Sequence, residues 1–154
     1  MLDRFEHFSL AITEISRYWH KLATEVLTKH GLKGAHATYL TTIYRYPDGI
    51  TVPQLCEICG KDKSDASRIL STLEKNGLVR KQSVNGSTGP RRYGGLLFLT
   101  EDGKSVAEDV CHHASQAVEI AGRDLTSEER EIFYKSLESI AANLRELSET
   151  GILK

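Results

Sequence analysis

Three groups of side chains in this sequence could do chemistry. Cys56 and Cys59 are separated by two residues, the spacing of a redox dithiol or of one half of a tetrahedral zinc site. His30, His36, Cys111, His112 and His113 are imidazole and thiol ligands in two regions of the chain. Between residues 63 and 75, Lys63, Ser64, Asp65, Ser67, Arg68, Ser71, Thr72 and Lys75 form a set of short donors and acceptors with a few cations. Such a set binds polar surfaces; it has no nucleophile-and-base pairing with which to react.

The first two groups lose force when their surroundings are considered. A thioredoxin-like dithiol needs a βαβ setting, which the pattern around residue 56 lacks. The pair also lies towards the end of a short helix, where the dipole disfavours thiolates. A structural zinc ion would need two more ligands at paired spacing, and none follows. Cys56 and Cys59 therefore read as buried structural residues. Adjacent histidines on one helix point about 100° apart, so His112 and His113 do not converge, and solvated or cap-forming histidines are expected. No resident metal or other cofactor is expected; the two histidine and cysteine regions hold the candidates if one binds. There is no phosphate loop after a strand, no His-Glu-x-x-His pair and no acid/base set. The glycine-rich stretch at 85–89 sits at a hairpin tip. The chain is expected to bind, not to catalyse.

The elements that must position the third group follow from periodicity. Ala66, Ile69, Leu70 and Leu73 recur at i, i+3, i+4 and i+7, one apolar face of a helix whose other face is the hydroxyl and cation set. Asp62 is the expected N-cap, and Gly77 the stop. Two roles are open to Asp65: closing a reciprocal cap with Asp62, or accepting from a base edge. Before this helix, Thr51-Val-Pro-Gln54 is a capping-box signature opening a short helix over 52–59, closed by Gly60. Two short helices joined by a tight glycine turn make a helix-turn-helix. Strands expected at 78–83 and 92–99, around a glycine-rich loop at 84–90, make a basic hairpin behind it. Upstream, helices are expected at 5–29 and 35–45, the second turning Leu40, Ile43 and Tyr44 inward. Downstream, Thr100 and the box at 126–129 open helices at about 101–122 and 127–148. The terminal helices carry apolar stripes larger than a small core requires, Phe5 to Val26 and Phe133 to Leu147. A second copy of the chain would cover them.

The charge map agrees with this division. The net charge is −1, yet residues 61–93 hold eight cations against three anions, a local +5 that leaves −6 elsewhere. A local positive patch is what phosphate neutralisation requires. No run of apolar residues is long enough for a membrane span, the N-terminus does not resemble a signal peptide, and three cysteines fit a reducing cytoplasm better than a disulfide framework.

The stretches TVPQLCEICGKDKSDASRILSTLEKNGLVRK (51–81), RRYGGLLFLTEDGK (91–104) and LTSEEREIFYKSLESI (125–140) resemble the MarR family of bacterial transcriptional regulators, and the resemblance extends over essentially the whole chain. It implies a mainly α fold with a small β-hairpin wing: a winged helix-turn-helix at 35–99, with dimerisation helices in 1–34 and 100–154. It further implies a homodimeric repressor that binds double-stranded DNA at an inverted repeat. A small aromatic or anionic effector is the family's usual modulator. Carried onto this sequence, Lys63, Ser64, Asp65, Ser67, Arg68 and Lys75 would meet DNA from the recognition helix, with Lys63 and Lys75 on phosphates. Arg91 and Arg92 would meet it from the wing. Family wings usually carry an aspartate just before the arginines; here Gly89-Pro90 stands there, and Gly94-Gly95 loosens the register. Arg92 is the expected minor-groove residue, with Arg91 and Tyr93 as alternatives. Trp19, His36, Tyr39, Tyr44 and Tyr46 are the aromatic candidates for an effector pocket. Metal-responsive relatives draw ligands from regions near those of His30, His36, Cys111, His112 and His113, but position by position the pattern does not match. A winged helix used only for protein contact is the rival reading.

Overall fold

The computed structural model describes residues 3–83 and 95–151. Six helices and three strands follow one another: α1 (Arg4–Thr28), α2 (Ala35–Tyr44), β1 (Ile50–Thr51), α3 (Val52–Cys59), α4 (Lys63–Lys75), β2 (Val79–Ser83), β3 (Gly95–Leu99), α5 (Glu101–Ala121) and α6 (Ser127–Thr150). The mainly α, winged helix-turn-helix architecture expected from periodicity is present. The chain forms two compact units, Met1–Ala114 and Ser115–Lys154.

The first unit holds the hydrophobic core. Leu27, Tyr39, Leu40, Ile43, Ile50, Leu55, Leu73 and Leu97 are almost wholly buried, and Val106, Ala107 and Val110 of α5 complete the cluster. The three strands form one antiparallel sheet in the order β1-β3-β2, with Ile50 opposite Leu97 and Val79 opposite Leu99. β1 was not expected from the sequence. Its two residues are β-branched, but they become a strand only by pairing with Leu96 and Leu97 far along the chain. Tyr44 also departs from expectation. It is exposed although Thr42 and Ile43 of the same turn are buried, and its hydroxyl donates to Glu108 Oε1 of α5 at 3.1 Å.

Local chemistry sets the helix ends. Thr51 and Gln54 close a capping box on α3, and Gly60 ends that helix with φ of 60°, a left-handed conformation that disfavours side chains with a Cβ. Thr100 does two tasks: its Oγ1 accepts from the Gly103 N–H at 3.0 Å and donates to the Gly77 carbonyl at 2.6 Å. The start of α5 is thereby tied to the turn that ends α4. Gly103 is buried against the backbone of Leu78, just before β2, and a Cβ there would land on the Leu78 carbonyl oxygen.

In the second unit, Thr126 and Glu129 close another capping box at the start of α6. Arg130 donates to the Gly122 carbonyl from Nε at 3.1 Å and Nη2 at 2.8 Å, and to Glu119 from Nη1 at 2.6 Å. A cation at the carbonyl end of α5 offsets the dipole there. No residue of α6 is buried. Phe133, Leu137, Ile140, Leu144 and Leu147 are exposed along it, as are Phe5, Phe8, Ile12, Ile15, Trp19 and Leu22 along α1. Among the described residues, no helix is long and apolar enough to cross a membrane.

Candidate nucleic-acid interface

α4 begins where Asp62, in extended conformation, accepts the Asp65 N–H at 2.8 Å. Ala66, Leu70 and Leu73 turn into the core. The helix stops at Asn76 and Gly77, with the Leu78 N–H returning to the Leu73 carbonyl at 2.9 Å. With the apolar side buried, Lys63, Ser64, Ser67, Arg68, Ser71, Thr72 and Lys75 are left exposed, and Asp65 half-buried.

Asp65 does not close the reciprocal cap. Its carboxylate accepts from Arg68 Nη2 one turn on. The Thr72 hydroxyl is turned back on the Arg68 carbonyl at 3.1 Å, whereas the helix's serines are exposed. An open groove brings Lys63, Ser67 and Ser71 of α4 together with Lys81 of β2. On the same strand the Arg80 guanidinium lies 4.8 Å from the Phe98 ring centre and donates to Gln82 Oε1 at 3.0 Å. These contacts hold Arg80 on the face of the strand opposite Lys81. Arg91, Arg92 and Tyr93, the expected wing-tip residues, lie outside the described residues.

The aromatic candidates do not share one place. His36 and Tyr39 are core residues, 7% and 1% exposed, while Trp19, Tyr44 and Tyr46 are exposed. His36 Nδ1 accepts from the Lys33 N–H at 2.9 Å, which requires the neutral ring. Burial, aided by the Lys33 charge, holds its pKa below the ordinary value. Burial pushes the Tyr39 phenol up to about 12, and its hydroxyl has no hydrogen-bond partner among the described residues.

The histidine and cysteine candidates are occupied in other ways. His30 Nε2 donates to Asp109 Oδ2 at 2.8 Å, and His113 Nδ1 donates to the Asp109 carbonyl at 2.8 Å. The His30 hydrogen bond, with the His113 and Lys29 charges, holds the Asp109 carboxyl below its ordinary range. The His112 ring stands edge-on to His113. Burial raises the Cys111 and Cys59 thiols, and Cys59 Sγ donates to Thr42 Oγ1 at 3.8 Å. Among the described residues, no three His, Cys, Asp or Glu side chains are arranged to hold a metal ion. Sequence reasoning missed Asp109 and Glu108 as partners. Asp109 to His113 is an i,i+4 pair open to inspection, but the ties to His30 and Tyr44 span 79 and 64 positions of sequence.

A helix-turn-helix backed by a three-stranded wing sheet, its second helix showing an open polar face, defines the winged helix class. The MarR family model matches residues 30–87. The HTH-type transcriptional regulator YybA of Bacillus subtilis (strain 168) is 30% identical over 106 residues, 69% of this chain and 67% of that protein. The fold is also that of a MarR transcriptional regulator from Methanosarcina mazei Go1, with a TM-score of 0.81 at 24% identity, covering 96% of this chain and 94% of that one. A MarR family regulator of Listeria monocytogenes complexed with 26mer DNA has a TM-score of 0.80 at 23% identity, over 100% of this chain and 99% of that one. The chain belongs to the MarR family of transcriptional regulators.

Proposed function

We propose that this regulator is a homodimeric repressor acting in the cytoplasm on double-stranded DNA that carries an inverted repeat. The observation that carries the reading is the exposed face of α4. Ser64, Ser67 and Ser71 are short enough to let the helix approach a groove floor, and Arg68 can reach guanine O6 and N7. Lys63 and Lys75 then meet phosphates, and Arg92 is the candidate for the minor groove, with Arg91 and Tyr93 as alternatives. The Listeria monocytogenes relative, complexed with DNA, supports the same partner.

The apolar stripes of α1 and α6 support a second copy. Fully burying one such side chain is worth about 1.5–3 kcal/mol, those on both helices are left partly or largely exposed, and a large apolar stripe on a helix marks an interface. Two-fold symmetry would set the two copies of α4 about 34–36 Å apart, one turn of B-DNA. A small aromatic or anionic effector would act through different affinities for DNA-competent and incompetent dimers. Trp19, Tyr44 and Tyr46 remain its exposed aromatic candidates.

Selection of bound fragments from a random duplex library at physiological salt tests the reading. Enrichment of an inverted repeat, bound with an affinity that falls steeply with salt, is the expected result. Failure to enrich any sequence, with no salt-dependent affinity for any duplex, would favour a winged helix that contacts protein instead.

A further inference from the structure

We infer that Asp65 is a positioning residue for Arg68, and that this pair commits each DNA half-site to a G·C base pair beneath the first two turns of α4. The inference rests on the proposed reading of α4 as a base-contacting helix. Asp65 is the third residue of α4, where a side chain can turn back to the cap residue's N–H. At the same place in α3 and α6, Gln54 and Glu129 do turn back. The Asp65 carboxylate points the other way and accepts from Arg68. The Arg68 side chain is 75% exposed and that of Asp65 40%. So open an ion pair adds little to folding, and its consequence is geometric.

A carboxylate on a face that meets DNA is repelled by phosphates and by the guanine acceptors O6 and N7. It is tolerated where a donor stands beside it, and Arg68 is that donor. A guanidinium carries five N–H groups in one rigid plane. With one N–H engaged by Asp65, the rest of the fork is held for two acceptors on a single base, which guanine offers in the major groove. Adenine would turn its N6 donor towards the same N–H groups. An arginine held in this way is also withdrawn from phosphates, which carry no sequence information. The other carboxylate oxygen can accept from the N4 amine of a neighbouring cytosine.

The test compares the wild-type dimer with D65N, D65E, R68A, R68K and the double variant D65N/R68A. Each is put through the duplex selection, then titrated against the winning duplex, its single-base variants and an unrelated duplex. The wild type should lose about tenfold in affinity when the G·C pair is replaced. D65N should lose most of that discrimination while binding the unrelated duplex more tightly, since an anion has gone. R68A and R68K should lose preference at the same position, the double variant should lose no more than R68A, and D65E should keep it. If Asp65 serves only to stabilise the start of α4, D65N will lower the melting temperature and weaken every duplex alike, with base preference unchanged; that result overturns the inference. R68K keeps the charge at an exposed site, so unchanged preference in R68K overturns it independently of how D65N folds. A wild type that enriches a repeat whose preferences survive both changes leaves the DNA reading standing without this refinement. A wild type that enriches nothing removes both.

Discussion

His36 and Gly103 show how much of this molecule rests on single atoms. His36 is buried and neutral, its Nδ1 accepting from the Lys33 N–H, and its pKa lies below the ordinary 6.5. A base with a lowered folded pKa takes up protons more readily when unfolded. Its stabilising contribution is therefore complete above about pH 6.5 and declines as pH falls from there towards the folded value. His36→Asn keeps an acceptor near the Nδ1 position and cannot titrate. Urea titrations between about pH 7 and pH 5 should show the wild type losing stability relative to this variant as the pH is lowered. Gly103 makes a steric argument of the same kind. Its missing Cβ is replaced by the Leu78 carbonyl oxygen, a backbone atom that cannot swing aside. Gly103→Ala should cost about 2–3 kcal/mol in denaturant unfolding, at the upper end of overpacking effects.

At the scale of elements, the helix ends decide how firmly the interface is presented. Thr51→Ala removes the side-chain acceptor that opens α3 and should cost about 1 kcal/mol of stability, read as a lower denaturant midpoint with an unchanged slope. Both capping boxes were legible in the sequence because their partners stand three residues apart. So were the two faces of α4, where the period of Ala66, Ile69, Leu70 and Leu73 assigns inside and outside at once. β1 was not legible, since its strand partner is supplied by β3. Nor was the orientation of Tyr44, which continues the apolar pattern of α2 but answers to Glu108 of α5. Of the two roles left open to Asp65, the reciprocal cap is not formed: Asp62 caps the helix, while the Asp65 carboxylate goes to Arg68. A side chain with two possible local partners is settled by the geometry of a particular turn, which residue types alone do not specify. The same holds for the aromatic set, which composition groups together and the fold divides between core and surface.

For the whole molecule, the proposed dimer makes oligomeric state and DNA affinity one property. Leu144→Glu places a charge within the exposed stripe of α6, and should turn a sedimenting dimer into a monomer whose own fold persists. Affinity for a full inverted repeat should then fall by about 10²–10⁴-fold, because the second half-site no longer binds within a linked complex. The slope of log affinity against log salt should fall to about half, as each monomer neutralises half the phosphates. The hydroxyl of Thr100 bears on how such a molecule could be controlled. It grips the Gly103 N–H of α5 and the Gly77 carbonyl behind α4 at once, while the Thr100 N–H holds the Leu78 carbonyl at 3.0 Å. The end of α4 and the first turn of α5 thus share one latch, and Thr100→Val, which keeps the shape but loses both hydroxyl bonds, should weaken duplex binding and lower the denaturant midpoint together.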